Sequence, residues 1–363
     1  MIYYSFSISY IYSSEFFLGI KMGKGKITVK ELASILGVSI STVSKSLSDS
    51  YEISEKTKLR VRKLAKKYNY KPNRIAVNLK SGKTRTIGVV LPSILNNFFT
   101  RVLYGIERIA SQENYNIITC ISYESYEKEV SNMQILSNGS IDGLIVALAE
   151  GSQIKGDFDH FKESIEEGNP VVMFDRVTDL VDCDKVVVDD YNNAFFATKH
   201  LIDIGCKRIA LISTIDFLGV GQLRVDGFKK AIMESFRELD QDLIITTNTE
   251  NLEYELEKLL ANKKIDGVFA IDEDSALAVV KAVNSKGYHI PNDISIIGYA
   301  CARIANNLTP TLTTVNQHGI TIGKSAAKTL INRLNNSDKE YKIKIIEVDI
   351  DQRESTMKRK KIL

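Results

Sequence analysis

The sequence predicts an all-α N-terminal domain followed by an α/β body of two lobes, each a doubly wound parallel sheet. Three observations indicate this fold class: a helical hairpin pattern at residues 28–48, a later alternation of apolar runs with amphipathic segments, and an uneven charge distribution. Between Lys24 and Arg85, 16 basic residues against 4 acidic ones give +12, so the rest of the chain, whose total is +3, carries −9. A basic head on an acidic body is typical of a nucleic-acid-binding domain joined to one that does not bind nucleic acid.

Residues 28–48, TVKELASILGVSISTVSKSLS, have the pattern of two short helices joined by a turn. Thr28 and Glu31 can form a capping box, Gly37 can end the first helix in the left-handed conformation, and Ser39 can cap the second. This pattern is typical of a helix-turn-helix, whose second helix enters the DNA major groove by its N-terminal end. The residues then facing the DNA are Ile40, Ser41, Thr42, Ser44 and Lys45. An ordinary amphipathic helical hairpin would show the same periodicity.

A third helix is predicted from Ser54 or Thr57 to about Asn69, with an apolar stripe facing inward. Its remaining positions are crowded with basic residues, some of which can contact phosphates: Lys58, Arg60, Arg62, Lys63, Lys66 and Lys67. Pro72 then ends this region, and residues 73–80 predict a helix too short to be stable alone in water.

From residue 86 the sequence alternates apolar strands with amphipathic crossovers, which indicates parallel sheets covered on both faces. A first series of strands is predicted at residues 87–91, 117–121, 143–148 and 171–174. A second series is predicted to start at residues 186–188 and to continue at 209–212, 243–246, 267–271 and 294–299. Because IDGLIV at 141–146 is similar to IDGVFA at 265–270, we expect two similar lobes. A ligand cleft is expected at the carboxyl ends of their strands.

No motif for turnover is present in the sequence. None of the four histidines lies beside a Ser or Cys in a nucleophile motif, and neither a P-loop nor a GxGxxG follows a strand. The acidic pairs Asp189-Asp190 and Asp272-Glu273 lie at strand ends, where helix capping or ligand binding is expected. The four cysteines lack metal-ligand spacing and indicate a reducing cytoplasm, and no run is long enough for a membrane helix. We therefore expect binding rather than catalysis, with no cofactor and no metal.

Residues 37–92, GVSISTVSKSLS through VVLP, closely resemble the N-terminal region of the lac repressor/galactose repressor (LacI/GalR) family. The resemblance continues to REST at residues 353–356 and covers roughly residues 27–356. It implies a type I periplasmic-binding-protein-like body, with the chain crossing between the lobes three times, and a homodimer. It also implies a hinge helix that folds in the DNA minor groove beside its dimer partner.

The resemblance divides the chain into five parts. Residues 1–23 are expected to be a leader, either an upstream artefact of a protein that starts at Met22 or a disordered tail. Residues 24–72 are the helix-turn-helix domain, and residues 73–85 are the hinge helix and linker. Residues 86–356 are the two-lobe effector-binding and dimerisation domain, and residues 357–363 are a basic tail.

Site residues are carried over from the family pattern position by position. DNA contacts beyond those of the second helix are Thr28, Ser39, Asn73, Arg74, Ala76 and Leu79. Leu79 is expected to wedge between base pairs, with packing against the body as its alternative. Effector contacts are Phe98, Asp175, Arg176, Arg224 and Asp272, each with a surface or capping role as its alternative. An arginine fork suits a ligand hydroxyl or carboxylate.

Two motifs depart from the family pattern. Gly298-Tyr299-Ala300-Cys301 replaces G-[FY]-D-D, so an aspartate that often binds a sugar hydroxyl is absent. A sugar or sugar derivative remains the expected effector class, while a nucleoside, a sugar phosphate or no small ligand stays open. Lys45 stands where arginine is common, which keeps the charge but loses bidentate recognition of guanine.

These observations together predict a cytoplasmic, sequence-specific DNA-binding transcriptional regulator, expected to be a repressor. It would bind a palindromic operator as a homodimer, with an affinity controlled by a small molecule in the cleft. The alternative is a periplasmic-type solute-binding protein of the same body fold without DNA binding. That class would need a signal peptide and no basic head.

Overall fold

The computed structural model describes residues 27–70, 83–235, 238–336 and 340–357. The chain divides between Lys80 and Ser81 into two compact units. The predicted leader, the hinge helix at 73–80 and the basic tail beyond Met357 lie outside the described residues.

The first unit contains three helices, α1 (Val29–Leu36), α2 (Ile40–Leu47) and α3 (Glu55–Lys67). Thr28 and Glu31 form the predicted capping box, and Gly37 ends α1 with a φ of 65°. The Ser39 hydroxyl accepts a hydrogen bond from the Thr42 N–H at the start of α2. The predicted helix-turn-helix is therefore confirmed.

The core of this unit is small and consists mainly of apolar side chains. Leu32 and Val43 are completely buried and Val61 almost so, which places one side chain from each helix at the centre. Lys58, predicted on the outer basic surface, is instead buried and forms ion pairs with Asp49 and Glu55. That prediction is wrong because position 58 lies one turn before Val61 on the inward face of α3. Its aliphatic stem packs while its ammonium reaches the two carboxylates.

The second unit contains two six-stranded sheets, one in each lobe. The strands are β1 (Thr86–Leu91), β2 (Asn116–Ile121), β3 (Gly143–Val146), β4 (Val171–Phe174), β5 (Asp184–Val188), β6 (Ile209–Ser213), β7 (Ile244–Thr246), β8 (Gly267–Ala270), β9 (Ser295–Tyr299), β10 (Thr313–Asn316), β11 (Ile343–Ile346) and β12 (Asp349–Asp351). The helices are α4 (Asn97–Gln112), α5 (Tyr126–Ser137), α6 (Glu150–Lys155), α7 (Asp159–Glu166), α8 (Asp190–Asp203), α9 (Gly219–Glu234), α10 (Leu252–Asn262), α11 (Glu273–Ser285), α12 (Ala302–Ala305) and α13 (Gly319–Asn335).

The two sheets have closely related topologies. The first-lobe order is β11-β5-β4-β3-β1-β2 with parallel pairings, and the second-lobe order is β12-β10-β9-β8-β6-β7. The second sheet is parallel except for the antiparallel pair β10 and β12. Apolar cores lie on both faces of each sheet. Two doubly wound parallel-sheet lobes are therefore confirmed.

The repeated IDG segments have the same role in both lobes. Ile87 pairs with Gly143, and Ile209 pairs with Gly267 in the same register. The Asp142 carboxylate accepts the Arg85 N–H, and the Asp266 carboxylate accepts the Arg208 N–H. The aspartate thus satisfies backbone N–H groups just before the neighbouring strand starts, which explains why the motif occurs twice.

The chain crosses between the lobes three times. It passes from β5 into α8, from β10 into α13 and from β11 into β12. Helix α8 contributes to the second-lobe core through Ala194 and Leu201, and α13 contributes to the first-lobe core through Ile322 and Ala326. The three crossings expected from the family resemblance are confirmed.

One strand assignment is wrong. Residues 186–188, predicted to open the second series, belong to β5, which pairs with β4 and β11 in the first-lobe sheet. The apolar pattern shows that a segment is a buried strand, but it does not show which strands lie beside it in the sheet. Strand pairing depends on the crossover connection that precedes each strand. Strands β10, β11 and β12 were not predicted, because each has only three or four residues and none is continuously apolar and buried throughout.

Candidate DNA-binding surface and effector cavity

Helix α2 carries five of the residues that the sequence assigned to DNA. Ile40 is 48% exposed, Ser41 is exposed, and Thr42, Ser44 and Lys45 are partly exposed. Thr28 and Ser39 are exposed, and their hydroxyls act as helix caps within the unit. The remaining DNA-contact candidates lie outside the described residues: Asn73, Arg74, Ala76 and Leu79.

Intramolecular ion pairs use part of the basic charge of this unit. Lys45 forms an ion pair with Glu52, and Arg62 forms one with Asp49 at 2.6 Å. The ammonium groups of Lys63 and Lys66 on α3 are exposed and have no carboxylate partner among the described residues. These free cations are suited to phosphate contacts.

A cavity of about 460 Å³ lies between the two lobes of the second unit. Its walls come from the carboxyl ends of strands in both sheets and from residues 315–319 at the second crossing. All five residues that the sequence assigned to the effector line this cavity: Phe98, Asp175, Arg176, Arg224 and Asp272. Their roles toward a ligand stay predictions, but the fold brings them together.

Arg224 is almost completely buried beside Asp190. Its Nε donates to Asp190 Oδ1 at 2.7 Å, and its Nη1 donates to the Ile271 carbonyl oxygen at 2.7 Å. Its guanidinium carbon lies 3.8 Å from the centre of the Tyr299 ring. Burial opposes the charge of Arg224, but Asp190 holds its pKa above the ordinary value. Nη2 is left without a hydrogen bond and can serve a ligand.

Arg176 is held by a carboxylate of its own lobe. Its Nη1 donates to both oxygens of Glu124, at 2.9 and 2.7 Å, and its guanidinium lies over the Phe99 ring. Glu124 also accepts a hydrogen bond from the Glu150 N–H at the start of α6. Glu124 therefore balances the charge of Arg176 and fixes the orientation of its side chain.

Asp272 has a capping role in the structure. Its Oδ1 accepts from the Ser275 N–H at 2.8 Å, and its Oδ2 accepts from the Thr214 N–H at 2.9 Å. These bonds join the N-terminus of α11 to the end of β6. Because each oxygen already accepts a backbone hydrogen bond, Asp272 shapes the wall of the cavity.

Asp175 and Tyr299 are the buried polar groups of the cavity that lack partners. Asp175 is 8% exposed, has a φ of 57°, and leaves its Oδ1 without a hydrogen bond. The Tyr299 hydroxyl is likewise buried and unpaired. Burial, together with the nearby Asp190, raises the pKa of Asp175 to about 6. Buried polar atoms without partners are uncommon in folded proteins, and these two face the cavity, where a ligand could supply the missing hydrogen bonds.

Sequence reasoning named Asp190 only as a capping or ligand-binding candidate at a strand end, and it missed Glu124 and Tyr299 as parts of this site. Glu124 and Asp190 neutralise the two arginines, and Tyr299 stacks on Arg224. Each follows or ends a strand at its carboxyl end, where the topology places ligand sites, so this rule applied to every strand would have found them. The described ranges contain no grouping of three His, Cys, Asp or Glu side chains that could hold a metal ion.

Comparison with known proteins identifies the family. Residues 28–73 match the model for bacterial regulatory proteins of the lacI family, and residues 198–356 match a periplasmic binding protein-like domain. The HTH-type transcriptional repressor PurR from Vibrio cholerae serotype O1 is 31% identical over 324 residues, 88% of this chain and 95% of the relative. The chain belongs to the lacI family of bacterial regulatory proteins.

Solved structures agree with this assignment. A LacI-family regulator from Enterococcus faecium with bound ribose is 28% identical and covers 76% of this lacI-family protein and 100% of that chain, with a TM-score of 0.66. The lac repressor dimer bound to operator, 19% identical with a TM-score of 0.81, covers 92% of this chain and 100% of its own and shows the shared fold.

This lacI-family protein is therefore a DNA-binding transcriptional regulator rather than an enzyme. The solute-binding alternative is not favoured, because the helix-turn-helix is present as a folded unit and matches the family. Within the described part of the chain, no helix is both long and apolar enough to cross a bilayer.

Proposed function

We propose that this protein is a repressor that binds a palindromic operator as a homodimer and is controlled by a small molecule held between its lobes. Residues 24–72 would bind the major groove, residues 73–85 would connect through the minor groove, and residues 86–356 would bind the effector and dimerise. The observation that carries the proposal is the cavity between the lobes. Two polar atoms in its wall, Asp175 Oδ1 and the Tyr299 hydroxyl, are buried and make no hydrogen bond. The protein that holds this cavity also has a DNA-binding unit. Because its target is operator DNA, we also propose that it acts in the cytoplasm.

Dimerisation is supported by exposed apolar side chains on the second unit. In the first lobe, Tyr104 on α4 is 54% exposed and Ile118 on the edge strand β2 is 41% exposed. In the second lobe, Leu223 on α9 and Tyr254 on α10 are also exposed. The related lac repressor was solved as a dimer bound to operator, and these side chains are candidates for such a two-fold contact. A two-fold dimer reads matched half-sites, which is why the operator is expected to be palindromic.

The proposed effector class is a sugar or sugar derivative. The cavity combines the aromatic ring of Phe98 with many polar groups, and this combination suits a hydroxylated ring. The related Enterococcus faecium regulator was solved with ribose. Ala300 supplies no acceptor where relatives often have an aspartate, so Asp175 is the buried carboxylate left to bind a ligand hydroxyl or amine.

Control is proposed to act through closure of the lobes. A ligand that contacts both lobes favours the closed form, and the three crossings transmit that change to the dimer contacts. The sequence predicts for residues 73–80 a helix that is too short to be stable alone. We propose that a small change in the spacing of the two copies shifts this segment between folded on DNA and unfolded.

Leu79→Ala tests the proposed division of labour. Removing the wedge should weaken operator binding, because the kinked duplex loses its apolar support, while effector binding remains nearly unchanged. Fluorescence anisotropy measures the first property and calorimetry the second. Equal loss of both affinities would contradict separate DNA and effector sites.

The proposed function as a whole is tested by an anisotropy titration of the protein against its own upstream DNA. The titration is run at two salt concentrations, with and without a panel of sugars and nucleosides. Palindrome-dependent binding that weakens steeply with salt and is released by one compound supports a ligand-controlled repressor. Binding that no compound in the panel alters would count against control by this effector class. Absence of specific binding at either salt concentration would exclude autoregulation.

A further inference from the structure

We propose that the effector carries an ammonium group on a hydroxylated ring, as an amino sugar does, and that this group binds Asp175. This inference rests on the proposed role of the cavity as the effector site and names the charge of its ligand. It follows from the ion pairs of the cavity wall, which leave negative charge uncompensated.

The two buried arginines of the wall are already neutralised. Arg176 is paired with Glu124, and Arg224 is paired with Asp190, at distances of 2.7 Å in both cases. Arg224 Nη2 can still donate a hydrogen bond to a ligand, but the charge of each arginine is already balanced by its carboxylate. Neither arginine therefore offers the uncompensated positive charge that a phosphate or carboxylate ligand would need.

The carboxylates of the wall outnumber the cations that remain. Asp272 is held by backbone N–H groups, and Glu273 accepts a hydrogen bond from Asn97 at 2.9 Å. Three other lining carboxyl groups have no cationic partner among the described residues: Glu150, Asp175 and Asp274. Outside the two pairs, the lining residues that can carry a positive charge are Arg101, which is exposed, and His318, which contacts Asp349. The cavity is therefore acidic.

Asp175 is the best placed of these three groups. Its carboxylate is buried, and its Oδ1 makes no hydrogen bond. The charged groups that act on it are Arg224, Arg176, Asp190 and Glu124, and these four already form two ion pairs with each other. An ammonium donor would supply both the missing hydrogen bond and the missing positive charge.

The titration behaviour of the wall agrees with this geometry. Burial, followed by a neighbouring carboxylate, raises the pKa of Asp175 to about 6 and also raises the pKa values of Glu150 and Asp274. All three groups are thus destabilised as anions. A bound cation would stabilise these three carboxylates, and a bound anion would destabilise them further.

The rest of the wall suits a polar ring. The Tyr299 hydroxyl is buried and unpaired and can bond a ligand hydroxyl, while Phe98 offers an apolar surface for a ring face. The expected ligand therefore has one cationic group, several hydroxyls and no anionic group.

The test is isothermal calorimetry on the whole protein without DNA, using sugars that differ only in charge. Glucose, galactose and mannose are each compared with the corresponding 2-amino sugar and 6-phosphate at pH 7. We expect the amino sugar of at least one series to bind about tenfold tighter than its neutral partner, since charged hydrogen bonds are stronger than neutral ones. The 6-phosphates are expected not to bind.

Two variants test whether the preference for an amino sugar comes from the carboxylates of the cavity wall. Asp175→Asn should remove the advantage of the amino sugar, and asparagine tolerates the left-handed backbone at this position. Glu150→Gln should reduce that advantage, because it removes a second carboxylate of the wall and leaves Asp175 unchanged. Asp182→Asn, at an exposed position outside the cavity, is the matched control and should leave it unchanged. The amino-sugar advantage should also shrink between pH 7 and pH 5, where Asp175 takes up a proton.

The inference is overturned if a neutral or phosphorylated sugar binds tighter than the amino sugar in every series, or if no amino sugar binds. It is also overturned if Asp175→Asn keeps the full preference. These outcomes leave the proposed repressor function intact, since operator binding is measured separately. Loss of that function would appear as absence of operator binding.

Discussion

Asp175 combines an unfavourable backbone conformation with an unfavourable environment for its charge. It has a φ of 57° directly after β4, and its carboxylate is buried near Asp190. Such a residue lowers the stability of the free protein unless something outside the chain compensates it. At the scale of single residues, the buried Asp175 carboxylate therefore lowers the folding stability of the ligand-free protein, and a bound ligand can offset that loss.

Asp175→Asn should make the second unit more stable at neutral pH. The folded state raises the pKa of Asp175 from 3.8 to about 6, so folded protein holds the proton more tightly and stability falls as pH rises from about 4 to 6. The shift corresponds to about 3 kcal/mol above pH 6. Thermal unfolding at pH 7.5 should show the variant as the more stable protein, with the difference shrinking toward pH 4. Equal stability at pH 7.5 would show that the carboxylate is not strained.

Glu52→Gln should tighten operator binding a few-fold. Glu52 forms an ion pair with Lys45 on α2, and this pair must break before Lys45 can reach DNA. Removing the carboxylate also removes repulsion with phosphates. Anisotropy titrations measure the affinity, with the exposed Glu113→Gln in the second unit as control. An unchanged affinity would indicate that Lys45 does not contact the operator.

Two glycines allow α4 and α13 to pack in close contact. A Cβ on Gly105 would overlap the Ile320 carbonyl oxygen, and a Cβ on Gly323 would overlap the Val102 carbonyl oxygen. Helix α13 is the segment that returns the chain to the first lobe after the second crossing. At the scale of elements, this contact fixes where the returning helix lies.

Gly323→Ala should destabilise the second unit even though alanine favours helices. The added methyl group must push the two helices apart, and overpacking of this kind costs about 1 to 3 kcal/mol. Gly219→Ala is the control, because its Cβ would meet only the Gln153 side chain at 3.6 Å. Thermal unfolding should show a lower midpoint for Gly323→Ala and an unchanged or higher one for the control. A midpoint at or above that of the unaltered protein would mean that the helices can separate without cost.

At the scale of the whole second unit, two hydrogen bonds join the lobes across the cavity. Asn97 Nδ2 donates to Glu273 Oε1 at 2.9 Å, and the Gly219 N–H donates to Gln153 Oε1 at 3.1 Å. Both bonds exist only while the lobes are close together. They stabilise the closed arrangement, in addition to any ligand in the cavity.

Asn97→Ala should shift the lobes toward an open arrangement. Loss of one bond across the cavity changes the balance between closed and open forms by roughly 0.5 to 1.5 kcal/mol. Small-angle X-ray scattering should then give a larger radius of gyration for the ligand-free protein. Asn262→Ala, on the exposed end of α10, is the control. An unchanged radius would show that the closed form does not depend on this contact.

The sequence by itself determined the features that depend on near neighbours. Thr28, Glu31, Gly37 and Ser39 specify the helix-turn-helix because caps and turns involve residues at most four positions apart. Alternating apolar segments specified the two-lobe α/β fold, and the family pattern brought five residues to one cavity.

Only the tertiary structure decided which groups neutralise each other. Arg224 meets Asp190 from 34 positions away, Arg176 meets Glu124 from 52, and Asp272 meets the Thr214 N–H from 58. The same holds for the place of β5 in the first-lobe sheet. Such contacts depend on strand order and crossovers, which a local pattern does not encode. For this reason the unpartnered carboxylate of Asp175 became visible only in the folded protein.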